Sequence, residues 1–216
     1  MNIWAALGLG FMLGLRHATD ADHVVAVSTI VTRSKTLRSA VVVGALWGLG
    51  HTLTILLVGG AIVVFNVVVP PMVETALEGC VAAMLIVLGG LNLYGALIQR
   101  HPRAVDGAPS RSRPEPGQSL RPLFVGIVHG LAGSAAIALL VLATIESVAG
   151  ALLYLALFGV GTIAGMALLT FLVVVPVAAA SRRFSQLERY LAGFTGIASV
   201  AFGVLLAVRA VLGAEA

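Results

Sequence analysis

The sequence predicts an all-α membrane protein that crosses the bilayer six times. Of its 216 residues, 59% are hydrophobic and 10% are charged, whereas soluble domains carry about 25% charged residues. A transmembrane helix needs roughly 20 apolar residues. Six stretches meet this length: 3–31, 39–69, 73–98, 123–145, 149–179 and 187–212. Several of them exceed the length of one crossing, so we expect tilts, kinks or breaks, above all in the first, second and fifth.

The basic residues predict the orientation of these helices. With six spans, three connecting loops face the same side, and those loops contain every Lys and Arg except Arg16 and Arg209. Loops rich in Lys and Arg stay in the cytoplasm, which places both termini outside the cell. The opposite side is mildly acidic, with Glu74, Glu78, Glu146 and Glu215. The composition is compatible with a bacterial inner membrane. Because the positive charge sits in short loops, the net charge of +4 does not indicate nucleic-acid binding.

The two halves of the chain resemble each other. Residues 14–17 (Gly-Leu-Arg-His) match 126–129 (Gly-Ile-Val-His), and 45–50 match 156–161. The similarity could also be chance among helices rich in Gly and Ala. Three spans per half would place the halves in opposite orientations, a 3+3 inverted repeat of the kind found in many secondary transporters. The predicted units are residues 1–99, a flexible cytoplasmic linker over 100–121 that is rich in Pro and Arg, and residues 122–216.

Residues 16–23 (Arg-His-Ala-Thr-Asp-Ala-Asp-His) form the most polar stretch inside a predicted span. Ionisable groups at membrane depth are costly and indicate a functional site. Imidazole nitrogen and carboxylate oxygen are common ligands of divalent transition metals. On a continuous helix, His17, Asp20 and His23 would share one stripe, with Asp22 pointing elsewhere. A break in the helix would instead let Asp22 turn inward, so either carboxylate could be the ligand.

Arg16 and Asp20 are four residues apart, a spacing that suits an ion pair on a helix. A rise of 1.5 Å per residue from the cytoplasmic loops places His23 and His129 roughly 13 and 12 Å deep, His51 roughly 18 Å and His17 roughly 22 Å. Four histidines could therefore meet in one layer and hold a cation. A single membrane histidine would more often make a structural hydrogen bond. Small residues follow His129 and could loosen the helix, so that the Ser134 hydroxyl would line a path.

These motifs resemble the signature of the nickel–cobalt transporter family. His17-x4-Asp22-His23 is similar to the family's first motif, and Gly50-His51-Thr52 to its second. The resemblance covers about a quarter of the chain and implies that His17, Asp22, His23 and His51 bind Ni²⁺ or Co²⁺. The supporting or pathway residues are then Arg16, Asp20, Thr52, His129 and Ser134.

The chain has six predicted spans where larger family members have eight, and it lacks their later acidic motifs. The stretch from His129 instead resembles the shorter, urease-accessory-type nickel permeases. This implies a permease that moves Ni²⁺ or Co²⁺, most commonly inward, with the metal as substrate and no cofactor. An exporter or a metal sensor that does not transport are the alternatives.

An enzyme is not expected. The sequence has no His-Glu-x-x-His motif, and the single Cys80 excludes a thiol redox pair. The expected partners are a divalent metal ion and the lipid bilayer, and formation of homo-oligomers is left open.

Overall fold

The chain is described here from a computed structural model over residues 3–31, 37–67, 69–98, 120–130, 142, 144–181 and 187–213. In this part of the chain the regular structure is entirely α-helical. The helices are α1 (Ile3–His17), α2 (Ala21–Val31), α3 (Leu37–Phe65), α4 (Pro71–Ile98), α5 (Arg121–Gly130), α6 (Val148–Ser181) and α7 (Leu187–Gly213).

Four helices of the described chain are long and apolar enough to cross a membrane: α3, α4, residues Val148–Val177 of α6, and residues Arg189–Gly213 of α7. Many large apolar side chains point outward from them, such as Leu57 on α3 and Phe194 on α7, which are 65% and 72% exposed. Lipid can cover such side chains, while helices satisfy their own backbone groups inside the bilayer. The prediction of an all-α, multi-pass membrane protein is confirmed.

The first predicted span is broken, as expected. After His17 the backbone leaves the helix for three residues, and the amides of Thr19 and Asp20 bond to the carbonyls of Arg16 and His17. The Asp20 carbonyl then accepts the Val24 amide at 3.0 Å, which starts α2. Polar residues with short side chains favour this position before a helix.

The break expected in the second and fifth spans was wrong, since α3 and α6 are each continuous. Gly59 and Gly60 stay helical in α3 because leucine side chains of α6 pack over them, Leu155 and Leu152. Pro176 lies near the end of α6, where the helix continues to Ser181. Of the fourth predicted span, the structure describes α5 and little beyond it. Several sequence predictions fall outside the described residues. They concern most of the predicted linker with its arginines, Ser134, and the basic residues 33, 35, 182 and 183.

Close helix approaches build the bundle around α3 and α6. On α1, Gly10 lies against Tyr154 of α6 and Gly14 against Phe158, so residue numbers rise together and the two helices run parallel. Helix α3 packs against α6 in the opposite direction, with Gly48 against Ile163 and Gly59 against Leu155. Helices α3 and α5 run parallel, and their glycines lie against each other's backbone.

The remaining pair, α4 and α7, runs antiparallel. Ser199 of α7 donates a hydrogen bond to the Leu85 carbonyl of α4 at 2.8 Å. Asn92 of α4 donates to the Thr29 carbonyl at 2.7 Å and so ties this pair to α2. The interior between α1, α2, α3, α5 and α6 is filled by Trp47, Phe158 and Met166, which are at most 1% exposed, and the polar cluster lies beside them.

Candidate metal centre

Four of the five histidines meet inside the helix bundle. His17 ends α1, His23 lies in the first turn of α2, His51 is in the middle of α3, and His129 is near the end of α5. Their exposed fractions are 5%, 0%, 1% and 1%. The ring of His23 lies 4.6 Å from His17, 5.0 Å from His51 and 4.4 Å from His129, measured between centroids. The structure therefore brings together the four histidines that the depth estimate placed in one layer.

Local backbone features put these rings in place. The break at residues 18–20 separates His17 from His23, so the two rings meet edge to face instead of following one helix stripe. A Cβ on Gly126 would collide with the Trp47 carbonyl, and one on Gly130 would lie 2.8 Å from the His51 carbonyl. Because these positions have no side chain, α5 approaches α3 until their backbones touch. This contact places His129 beside His51.

One group of potential ligands contains only imidazoles: His17, His23 and His51. Nε2 of His17 lies 2.9 Å from Nε2 of His51, so one of the two donates a hydrogen bond to the other. On its other side, Nδ1 of His17 lies 2.8 Å from Oδ2 of Asp20. If Nδ1 carries the proton, the carboxylate fixes the tautomer and leaves the Nε2 lone pair directed at His51. A cation could replace the contact between the two rings, because ligands about 2.05 Å from a metal and at right angles are about 2.9 Å apart.

A second group contains Asp22, His23 and His129. Oδ1 of Asp22 lies 2.9 Å from Nδ1 of His23, and Oδ2 lies 3.0 Å from Nε2 of His129. The Asp22 carboxylate also accepts the backbone amide of His23 at 3.0 Å. In both groups, one ligand atom from each residue lies within 4.8 Å of the other two.

Several buried nitrogens have no hydrogen-bond partner within the described ranges: Nε2 of His23, Nδ1 of His51 and Nδ1 of His129. Nε2 of His129 has only the Asp22 carboxylate beside it in these ranges, at 3.0 Å. A buried polar atom without a partner costs about 1–3 kcal/mol. Such atoms concentrated in one cluster need an explanation. Imidazole nitrogens with free lone pairs, next to carboxylates and out of water, form a donor set suited to a borderline divalent cation.

The structure separates the candidate residues into those that reach the cluster and those that do not. Asp22 turns inward, which is the broken-helix alternative, while the contact that the described part of the chain gives the Asp20 carboxylate is with the outer nitrogen of His17. Arg16 is exposed and makes no ion pair with Asp20 among the described residues, contrary to the helical spacing argument, because the helix ends between them. The Thr52 hydroxyl donates to the Gly159 carbonyl at 3.1 Å, a packing contact between α3 and α6.

Two aromatic residues beside the cluster were missed by the sequence analysis. Trp47 stacks on His23, with centroids 5.7 Å apart, and Phe158 lies 5.4 Å from His17. They limit the space around the rings and exclude water. The signal was present in the sequence, since Trp47 and Phe158 occupy matching positions of the two similar segments.

Comparison with known proteins agrees with this geometry. A family described as high-affinity nickel-transport protein matches residues 3–102, the part that carries both aspartates and three of the clustered histidines. The urease accessory protein UreH of Bacillus sp. (strain TB-90) is 34% identical over 213 residues, covering 94% of this chain and 91% of that protein. This chain belongs to the nickel-transport protein family. No solved structure matches it.

Family membership confirms the resemblance seen in the motifs, including the one to the shorter, urease-accessory-type members. It also confirms the expectation of a membrane permease for nickel rather than an enzyme. The family description names nickel, so cobalt rests on the chemistry of the ligands.

Proposed function

We propose that this permease takes up Ni²⁺, and with lower preference Co²⁺, through the buried cluster, with His17, Asp22, His23 and His51 as ligands. The observation that carries the proposal is the cluster itself. Imidazoles with unpartnered nitrogens converge with a carboxylate in the interior of a membrane protein. His129 on α5 is the fourth histidine of the cluster, and the Asp20 carboxylate contacts Nδ1 of His17 and so orients its ring.

The ligand chemistry narrows the substrate. Imidazole and carboxylate suit nickel, cobalt and zinc, whereas Cu⁺ prefers thiolate and thioether sulfur. Cys80 is exposed on α4 and does not belong to either ligand group. Intrinsic affinity would favour Cu²⁺ over Ni²⁺, so selectivity for nickel has to come from geometry and from metal availability.

An inverted repeat would supply the transport mechanism, and matched packing contacts support it. Gly14 lies against the Phe158 carbonyl, and its counterpart Gly126 lies against the Trp47 carbonyl. The two ring contacts also correspond: His17 is 5.4 Å from Phe158, and His129 is 5.5 Å from Trp47. The centroid distances agree, while the rings meet at 38° in the first contact and at 72° in the second. Similar spacing of matched residues is expected when a pseudo-two-fold axis relates two halves of a transporter.

The same relation extends to other helices. Gly161 lies against the Phe11 carbonyl and Gly50 against the Leu123 carbonyl. In the pair formed by α4 and α7, Gly196 of α7 lies against Leu93 of α4, and Gly203 of α7 lies in the same way against Ile86 of α4. We therefore propose six crossings, with α1 and α2 as two parts of the first, and units at residues 1–99 and 122–216. Rocking of one unit against the other would expose the cluster to each side in turn.

The ligands do not follow the repeat, which makes the first half the metal-binding half. The counterpart of His51 is Thr162, whose hydroxyl is bonded to the Phe158 carbonyl of its own helix at 3.0 Å. Only His17 has a histidine counterpart, His129. The cation would thus be held mainly by α1, α2 and α3, and α5 would add one ring.

We propose that the cluster lies near the middle of a cell membrane, with the basic loops in the cytoplasm and both termini outside; for a bacterium this is the inner membrane. In this orientation Glu74 and Glu78 lie at the outer end of α4, where a weakly acidic surface would attract divalent cations. Uptake is then the proposed direction.

The deciding experiment is metal flux into liposomes that contain the purified protein and an internal metal-sensitive dye. We expect saturable flux of Ni²⁺ and Co²⁺, little flux of Zn²⁺ or Mn²⁺, and loss of flux in His17→Ala and His51→Ala. Thr170→Val is the matched control, because among the described residues this buried hydroxyl donates its hydrogen bond to the Met166 carbonyl of its own helix. Metal binding without flux in the wild type would contradict transport, and flux retained in both histidine variants would contradict the site.

Direction needs intact cells. Expression of the permease should raise the cellular content of radioactive nickel, and expression of His51→Ala should not. A fall in nickel content below that of cells without the protein would indicate export instead.

A further inference from the structure

His23 belongs to both groups of potential ligands. We propose that the cation occupies two successive positions in the cluster, with His23 as the ligand common to both. The first position is formed by His17, His23 and His51, and the second by Asp22, His23 and His129. This inference rests on the proposed function, because it describes how the ion passes through the same site.

His23 has the geometry of a shared ligand. It is fully buried, and its ring lies closer than 5.1 Å to each of the other three rings, with centroid distances of 4.6, 5.0 and 4.4 Å. Its Nδ1 contacts Asp22, and its Nε2 has no partner in the described part of the chain. The two nitrogens lie on different edges of the ring, so His23 stays within reach of an ion on either side of it.

The potential ligand atoms do not form one compact set. Among the described residues, those that lie within 4.8 Å of one another fall into two groups, and only His23 belongs to both. The short contacts fall into two separate sets: Nε2 of His17 to Nε2 of His51 at 2.9 Å, and Oδ2 of Asp22 to Nε2 of His129 at 3.0 Å. A cation between His17 and His51 is therefore not bound by Asp22 and His129, and a cation between Asp22 and His129 is not bound by His17 and His51.

Charge limits the cluster to one ion at a time. One carboxylate accompanies each position, Asp20 behind His17 and Asp22 as a direct oxygen ligand. Together they neutralise one divalent cation, and ionic charge without compensation is costly inside a membrane. Two divalent ions on either side of one ring would repel each other four times as strongly as two single charges at that distance.

The positions also differ in ligand type and in the side from which their helices reach the cluster. In the proposed orientation α1 reaches the cluster from outside and ends at His17, whereas α5 reaches it from the cytoplasm and carries His129 near its end. Inward transport would therefore fill the all-imidazole position first and the carboxylate position second. The transfer exchanges His17 and His51 for Asp22 and His129, so three nitrogen ligands become two nitrogens and one oxygen, while the ion stays at His23. As the ion moves from one ring nitrogen of His23 to the other, the imidazole proton passes to the nitrogen that the ion leaves.

Single-ligand variants test the two positions separately. His51→Gln removes the first position only, His129→Gln the second only, and His23→Gln both, with Thr170→Val as the packing control. The readouts are Ni²⁺ binding by equilibrium dialysis of the detergent-purified protein, the ligand set by X-ray absorption, and flux into liposomes.

We expect one Ni²⁺ per chain in the wild type and none in His23→Gln. His51→Gln and His129→Gln should each still bind one Ni²⁺ at the remaining position, more weakly than the wild type does, yet both should lose flux. The absorption spectrum should show fewer imidazole ligands in His51→Gln than in His129→Gln. If His129→Gln does not fold, Asp22→Asn replaces it, since this change also removes a ligand of the second position only.

The inference is overturned if either single variant transports at the wild-type rate, if His51→Gln abolishes binding altogether, or if the wild type binds two ions. In each of these cases wild-type flux would leave the proposed function standing. A wild type that binds Ni²⁺ but carries no flux would overturn both proposals.

Discussion

At His17, one ring connects the histidine cluster with a carboxylate at the break between α1 and α2. Its Nε2 faces His51, and its Nδ1 lies 2.8 Å from Asp20, whose side chain is 38% exposed. A carboxylate bonded to the outer nitrogen of a metal-binding histidine orients the ring and makes it a stronger donor. Asp22 is less exposed, at 16%, and contacts two of the histidines. The two aspartates should therefore contribute in different ways.

Replacing each aspartate by asparagine should separate these contributions. Asp20→Asn is expected to weaken Ni²⁺ binding by about 10–100-fold, because it removes only the charge behind His17. Asp22→Asn should weaken binding further, since it removes a direct oxygen ligand. Equilibrium dialysis of both purified variants measures the difference. Equal losses would mean that Asp22, too, acts only through a neighbouring ring.

Protonation of the same rings predicts the pH dependence of uptake. An imidazole binds a metal only in its neutral form, so metal binding displaces protons. Acidification should therefore lower Ni²⁺ affinity, and affinity should recover as the pH rises. Flux is measured over a range of free Ni²⁺ concentrations at each of several pH values, without a proton gradient. The apparent affinity for Ni²⁺ obtained from these data should show this trend. Affinity that increases on acidification would contradict ligation by imidazoles.

At the scale of helices, glycine decides how closely the elements pack. Gly14 and Gly126 lie against the carbonyls of Phe158 and Trp47, which also carry the aromatic rings beside His17 and His129. A side chain at either glycine would push two helices apart and move a histidine with them. Gly8 belongs to the same helix as Gly14, but a Cβ at Gly8 would have no neighbouring atom within 4 Å among the described residues.

This pair of glycines on α1 gives a controlled test. Gly14→Ala should destabilise the protein by about 1–3 kcal/mol through overpacking and should reduce Ni²⁺ flux. Gly8→Ala should leave both unchanged or raise stability slightly, because alanine favours helix. Thermal unfolding in detergent and flux into liposomes provide the two readings. Equal behaviour of the two variants would show that the close contact at Gly14 is unimportant.

The sequence was informative about elements where the physical signal is local. Long apolar runs specify helices that cross a membrane, and polar residues after His17 specify the break that follows it. It did not show whether Asp20 or Asp22 faces the cluster, because that depends on the path of the chain through three non-helical residues. It also could not exclude breaks in α3, since the glycines that weaken a helix alone are covered there by leucines of α6.

For the whole molecule, the distribution of charge predicts which of the two proposed cation positions lies toward the cytoplasm. The three connections that carry Lys and Arg and the acidic ends of α4 and α6 lie on opposite sides of the proposed bundle. Inward transport from the all-imidazole position to the carboxylate position requires the basic side to be cytoplasmic. Reversal of the bundle would make the same order of ligands an export path.

Cysteine labelling tests this orientation directly. Cys80 is the one cysteine of the sequence, so Cys80→Ser gives a background without thiols. Val67→Cys, in the exposed turn after α3, should react with a membrane-impermeant maleimide in intact spheroplasts, because that turn is proposed to face outside. Ser110→Cys, in the basic linker, should react only after the membrane is permeabilised. The opposite labelling pattern would mean that the bundle has the inverted orientation in the membrane. If the protein still accumulated nickel in cells, the ion would then have to pass from the carboxylate position to the all-imidazole position.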